Sequence, residues 1–164
     1  MSKKRKNRQK REEEKMNEES KKNPSTIREI FTYVIVIILA VVLAAHLSVV
    51  VSGSMEPSFY RGDIVATQNV NTYGIQEFNP YTDVEINDVV VYNAKWYSEP
   101  VIHRVINIQE INGTKYYIIK GDNNEVADPY PVTPDQIKAK VITIGDSLLV
   151  IPQIGQITLF FRGL

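Results

Sequence analysis

Cysteine is absent from this 164-residue chain. Its absence excludes disulfides, thiol nucleophiles and zinc sites built on cysteine, and any folded domain must rely on its own core. Histidine is nearly as scarce, with only His46 and His103, and no His-Glu-x-x-His run occurs, which excludes a zinc peptidase of that kind. Charge is missing altogether from Ile30 to Val51, a run of 22 residues rich in Val, Ile, Leu and Ala. Beyond that run no long helical periodicity appears.

The formal net charge of zero hides a division. Residues 1–29 carry eleven Lys/Arg and six Asp/Glu, a balance of +5, and the remainder carries −5. This head has almost nothing apolar before Ile27 and is expected to be disordered, because it offers no burial against the entropy cost of ordering. Its position before an apolar run explains the basic charge better than nucleic acid does. As a helix, Ile30–Val51 would be about 33 Å long, enough to cross a hydrocarbon core. Lys and Arg stay on the cytoplasmic side, so the head is expected inside and residues 52–164 outside. A cleaved signal peptide is disfavoured, since both leader and apolar stretch exceed the usual lengths. His46 falls within the run, towards its outer end, and is read as having no role.

After residue 52, short β-branched and aromatic runs alternate with turn residues. Strands are expected at Asp63–Gln68, Asp88–Tyr92, Val101–Ile111, Thr114–Lys120 and Ile137–Ile144, with Leu148–Ile151 a further one. Residues 69–83 read as a polar loop. Asn112-Gly113 between two strand runs is a strong hairpin signal, because both residues tolerate the positive φ of a type I′ turn. The fold class is therefore mainly β, a compact domain behind one N-terminal helix. The apolar C-terminal stretch, broken by Pro152, Gly155 and Arg162, reads as a final strand and a surface segment, too short to span a bilayer.

Ser52-Gly53-Ser54-Met55-Glu56-Pro57 follows the apolar run directly and places a candidate nucleophile, Ser54, just outside the membrane. A serine hydroxyl is weak until a base takes its proton. The outer domain has one imidazole, His103, and free imidazole titrates near neutral pH. A carboxylate on its other ring nitrogen would fix the tautomer. Asp122 and Asp128 both leave the second arm of the hairpin. Counting outward from the Asn-Gly turn puts residue 122 opposite residue 103, which favours Asp122. This loop does not fit an EF-hand, which needs Gly at its sixth position and Glu at its twelfth.

These residues resemble the type I signal peptidases, in the ER-type branch that uses histidine where the common bacterial branch uses lysine. Ser52–Pro57 is similar to the family's nucleophile box, Arg61-Gly62-Asp63-Ile64-Val65 to its Gly-Asp box, and His103-Arg104-Val105 to the box of the general base. Gly121-Asp122-Asn123-Asn124 with Asp128 resembles the acidic box. The ordered set runs through most of residues 30–155. The resemblance implies Ser54 as nucleophile, His103 as general base and Asp128 as triad acid, with Asp122 supporting the site or sharing that role. Ser52 and Met55 are implied as oxyanion and substrate contacts. The chain stops at Leu164, where some ER-type relatives continue into a second membrane segment, and it lacks the large inserted domain of longer bacterial enzymes.

The expected organisation is a cytoplasmic head (1–29), a transmembrane helix (30–51), an extracytoplasmic catalytic β-domain (52–155) and an apolar C-terminal segment (156–164). The expected activity is removal of signal peptides from exported preproteins with small residues at the −3 and −1 positions. The bilayer is a partner, and no cofactor, metal or nucleic acid is needed. A membrane-tethered β-domain that binds exported partners without catalysis is the alternative. A self-cleaving repressor-type peptidase shares the β scaffold but uses a lysine base and a DNA-binding head.

Overall fold

The computed structural model describes residues 3–154, 160, 161 and 163. The chain divides into two units, Met1–Ala44 and Ala45–Leu164.

The described residues of the first unit form helix α1, Lys3–Ala45, whose last residue belongs to the second. The beginning of α1 departs from the absence of structure expected over residues 1–29. The head is dense in Lys, Arg and Glu, all good helix formers. Opposite charges also fall one turn apart, as at Lys10 and Glu14, 3.9 Å from each other. Thr26–Ala45 has a mean hydropathy of 2.4 and, by length and composition, could cross a bilayer. The large apolar side chains from Ile27 to Leu43 are exposed.

The expected span Ile30–Val51 is cut short, because α1 ends at Ala45 and the chain continues as β1 (Leu47–Val49). Val49, Val50 and Val51 are β-branched and stiff at χ1, which suits a strand. The alternative to helix here is a ladder with β2 (Ile64–Asn69) that pairs Leu47 with Ala66 and Val49 with Ile64. His46 lies outside the helix, and its Nε2 is 2.7 Å from Glu77 Oε1. Burial alone would raise the Glu77 carboxyl. Hydrogen bonds from Thr72, His46 and the Asn69 amide, with the charge of His46, outweigh it and hold the group below the usual range.

The polar loop expected at 69–83 carries a small hairpin, β3 (Asn71–Thr72) with β4 (Ile75–Gln76). The main sheet then uses β5 (Val89–Asn93), β6 (Pro100–Ile111), β7 (Thr114–Lys120) and β8 (Ile137–Val141). A second small hairpin joins β9 (Thr143–Ile144) to β10 (Ser147–Leu148), and β11 (Val150–Ile151) returns to pair with β2. The main sheet runs in the order β1-β2-β8-β5-β6-β7, all antiparallel. The expected C-terminal segment 156–164 lies mostly outside the described residues.

Strand β5 reads Val-Val-Val-Tyr and is buried on both faces. Its alternation serves two cores. Val90 and Tyr92 pack with Phe78, Val105, Tyr117 and Ile119, while Val89 packs with Val50, Met55, Phe59, Val65 and Val141. The β6–β7 turn has Asn112 at φ 51° and Gly113 at φ 77°, as the type I′ reading requires. The arms are not in uniform register. Ile111 pairs with Thr114 and Asn107 with Ile118, but Val105 pairs with Ile119, so Ile106 is an extra residue in β6.

Ile119 is 1% exposed within the first core. Ile119→Ala should cost about 2–5 kcal/mol and Ile119→Val about 0.5–1.5 kcal/mol. The urea midpoint of the purified full chain in detergent measures both.

Candidate active site

Ser54 lies in the turn-rich connection between β1 and β2. Both ends of that connection are fastened, since Val50 N donates to Asp63 O at 2.9 Å and Gly62 N donates to Val50 O at 2.9 Å. The carboxylate of buried Asp63 accepts from Tyr60 N at 2.8 Å and from Gln153 N at 2.9 Å. Met55 and Phe59, each 1% exposed, anchor the middle of the connection in the second core. Glu56–Pro57 is a cis peptide. Between these anchors Ser54 stays half-buried beside a cleft.

His103 comes from β6, directly across from Val90 of β5, and is 3% exposed. Its Nε2 is 3.0 Å from Ser54 Oγ. Its Nδ1 is 2.8 Å from Asp128 Oδ2 and 3.0 Å from Oδ1. Both side chains of the His103–Asp128 pair are 4% exposed. In this arrangement Nδ1–H donates to the carboxylate, and Nε2 is free to accept the serine proton. Asp128 Oδ2 also accepts from the Tyr92 hydroxyl at 2.6 Å. Ser52 Oγ stands 3.1 Å from Ser54 Oγ.

The two aspartates are sorted by the bulge. Register counted from the turn puts residue 122 across from residue 103. The extra residue at Ile106 shifts the pairing so that Arg104 meets Lys120, and the same register carried one residue on puts Gly121, not Asp122, beside His103. Asp122 is therefore not on His103. It forms a bidentate pair with Arg104, Nε to Oδ1 at 2.8 Å and Nη2 to Oδ2 at 2.7 Å, and accepts from the Ser58 hydroxyl. Arg104 also donates to Asn87 O at 2.9 Å, just before β5, and to Ser58 Oγ at 3.2 Å, so the pair ties β6 and the acidic loop to the serine loop and to that segment. Burial would raise the Asp122 carboxyl, but the bonds from Arg104 and Ser58 and the charges of Arg104 and Lys120 hold it below the usual carboxylate range. Arg104 is raised in turn, chiefly by its bonds to Asp122.

Gly121 lies where the acidic loop packs against the serine loop. A Cβ there would lie 2.6 Å from Ser54 O, 2.8 Å from Asn124 Nδ2 and 2.9 Å from His103 Nε2. Only glycine permits that approach. The next residue but one completes the clamp, because Asn123 N donates to Ser54 O at 2.9 Å and Asn123 Nδ2 to Gly53 O at 3.1 Å. Sequence reasoning passed over Asn123 and Tyr92 as site residues. A polar residue in an Asx-rich loop and an aromatic in a strand carry no signal of their own.

The cleft beside Ser54 measures about 260 Å³. One wall is Val49–Ser52 and the other includes Trp96, Tyr97 and Pro100–His103, with Met55 and Phe59 also lining it. Val50 spends its backbone groups on residues 62 and 63, so strand alternation turns those of Val49 and Val51 the other way. Val105 likewise bonds Asp88 and Asn87, which turns Ile102 away from β5, on the stretch of β6 that β7 does not reach. Two strand edges thus border one apolar cleft that ends at a serine, an imidazole and a carboxylate in hydrogen-bonded sequence.

A model of the family described as signal peptidase, peptidase S26, matches residues 24–124. An uncharacterized protein of Methanocaldococcus jannaschii is 31% identical over 176 aligned positions, which cover 72% of this chain and 84% of that protein. The signal peptidase complex catalytic subunit of Clavispora lusitaniae is 32% identical over 125 positions, 74% of this chain and 69% of the subunit. That of Saccharomyces cerevisiae is 36% identical over 121 positions, 71% and 66% of the two chains.

The lowered Asp122 carboxyl has a consequence for acid stability. A group depressed by folding adds stability above its unfolded value, about 3.9, and loses it as pH falls through the lower folded value. Asp122→Asn should therefore destabilise the protein by about 1–3 kcal/mol near neutral pH. The gap from wild type should close as pH falls below about 4, read from urea midpoints across pH.

Proposed function

The chain belongs to the type I signal peptidases, in their ER-type branch, and from that membership we propose a membrane-anchored serine endopeptidase that removes signal peptides from exported proteins. The observation that carries the serine mechanism is the run of contacts from Ser54 Oγ to His103 Nε2 at 3.0 Å and from His103 Nδ1 to Asp128 at 2.8 Å. Ser54 Oγ attacks the scissile carbonyl carbon while its proton passes to His103 Nε2. The tetrahedral intermediate collapses, the peptide C–N bond breaks, and the imidazolium gives its proton to the leaving amine. Water, deprotonated by the same imidazole, then hydrolyses the acyl-enzyme and regenerates the Ser54 hydroxyl. Asp128 keeps Nδ1 protonated and faces the imidazolium while it lasts. The Ser54 N–H and the Ser52 hydroxyl are the donors to the oxyanion, each worth on the order of 10²–10³ in rate.

The substrate is an extended segment of a preprotein lying in the cleft. Strand edges at Val49–Val51 and Ile102 offer backbone partners for it, a form of β-augmentation. Shallow apolar pockets there suit small side chains one and three residues before the cut. Thr26–Ala45 serves as the membrane span, with the basic head cytoplasmic and the β-domain, from His46 onward, on the other side.

Ser54→Ala should lower preprotein processing by at least about 10⁴-fold, as removal of a triad nucleophile does elsewhere. Purified wild type and variant, with N-terminal sequencing of the product, measure this, and equal rates would end the reading. A protease added outside intact spheroplasts should digest the β-domain and spare the basic head. The reverse pattern would overturn the orientation.

A further inference from the structure

We propose, resting on the Ser54–His103–Asp128 reading, that Tyr92 is a positioning residue for the reaction, its hydroxyl holding the Asp128 carboxylate in the orientation that meets His103 Nδ1.

Asp128 stands on an irregular segment beyond β7, not on a strand. One backbone bond, Asp128 N to Ile119 O at 2.8 Å, locates its main chain. That bond leaves both side-chain torsions open. The carboxylate's contacts are His103 Nδ1, reached from both oxygens, and the Tyr92 hydroxyl at 2.6 Å from Oδ2. Without the hydroxyl, the group meant to orient the imidazole would, among the described residues, be oriented only by that imidazole. The carboxylate is 4% exposed, so solvent has little access to replace the lost donor.

Tyr92 is built to be a fixed donor. It lies in β5, buried on both faces, and is 0% exposed. Its ring packs in the first core with Val105, Tyr117 and Ile137. Burial first, and the adjacent carboxylate second, raise the hydroxyl far above the ordinary tyrosine range, so it keeps its proton at any working pH. Trp96 is a second polar neighbour of that hydroxyl and lines the cleft. Tyr92 itself does not line the cleft. The hydroxyl therefore acts on the acid and not on the substrate, which separates its effect on turnover from any effect on binding.

The test is Tyr92→Phe in the full chain in detergent, assayed against a preprotein over a range of concentrations. The expected result is a fall of about tenfold in kcat, the loss of one hydrogen bond to a charged group, with KM changed by less than about twofold. In an Asp128→Ala background the same change should have no further effect, because the hydroxyl has nothing left to orient. With only two histidines in the chain, the Nδ1 proton resonance of His103 gives a readout independent of activity. It should move in Tyr92→Phe while the resonance of His46 stays in place. Wild-type kcat, an equal loss with and without Asp128, or an unmoved His103 resonance would overturn the role. If Ser54→Ala also retains activity, it is the reading of the site that falls. A silent Tyr92→Phe beside an inactive Ser54→Ala sinks the positioning role alone.

Discussion

The meeting of His103 with Asp128 depends on one extra residue in β6. With Ile106 bulged out, Arg104 pairs with Lys120, and the residue across from His103 is a glycine. A ladder without the bulge would bring Asp122 to that position and leave Arg104 without its bidentate partner. The bulge therefore does two jobs in one shift of register. It delivers a side chain of no size to the place where the serine loop, the acidic loop and β6 converge, and it pairs the neighbouring acid with a guanidinium outside the imidazole's reach. The second acid then serves as a fastener.

Everything near Ser54 is held from two directions. From below, Met55 and Phe59 sink into the core formed with Val50, Val65, Val89 and Val141. From the side, Asn123 takes the carbonyls of Gly53 and Ser54, and Asp122 with Arg104 takes Ser58. A serine on a loop is ordinarily a mobile group. Here the carbonyls of Gly53 and Ser54 accept from Asn123 of the acidic loop, those of Met55 and Tyr60 accept within the loop, and Met55 and Phe59 are spent on the core. The hydroxyls of Ser52 and Ser54 stay at the face of the cleft.

Much of this was legible in the residues. The Asn-Gly turn located β6 and β7, and the alternating Val-rich runs located β2, β5 and β8, because both signals are local. The order of the boxes pointed to Ser54 and His103, whose side chains lie 3.0 Å apart. What escaped was set by contacts distant in sequence. A bulge costs one residue of register and has no compositional mark, so counting from the turn favoured Asp122. The apolar run looked uniform from Ile30 to Val51, and only the ladder with β2 converts its last residues from helix to strand. The head was judged by what it cannot bury, whereas helix formation there needs no burial, only good propensity and pairs such as Lys10 with Glu14. Tyr92 looked like any strand aromatic until its hydroxyl was seen against Asp128.

Gly121 carries one more implication. Most positions in a protein grade their tolerance by side-chain bulk, so a lineage can drift through intermediates of rising size. At this position the offending atom is Cβ itself, and it meets the Ser54 carbonyl, a backbone atom that cannot rotate aside. Alanine is thus already past the limit, and no residue stands between glycine and failure. Sequence change around the site can accumulate on either side of position 121, but the position is a fixed point about which the rest of the loop must vary.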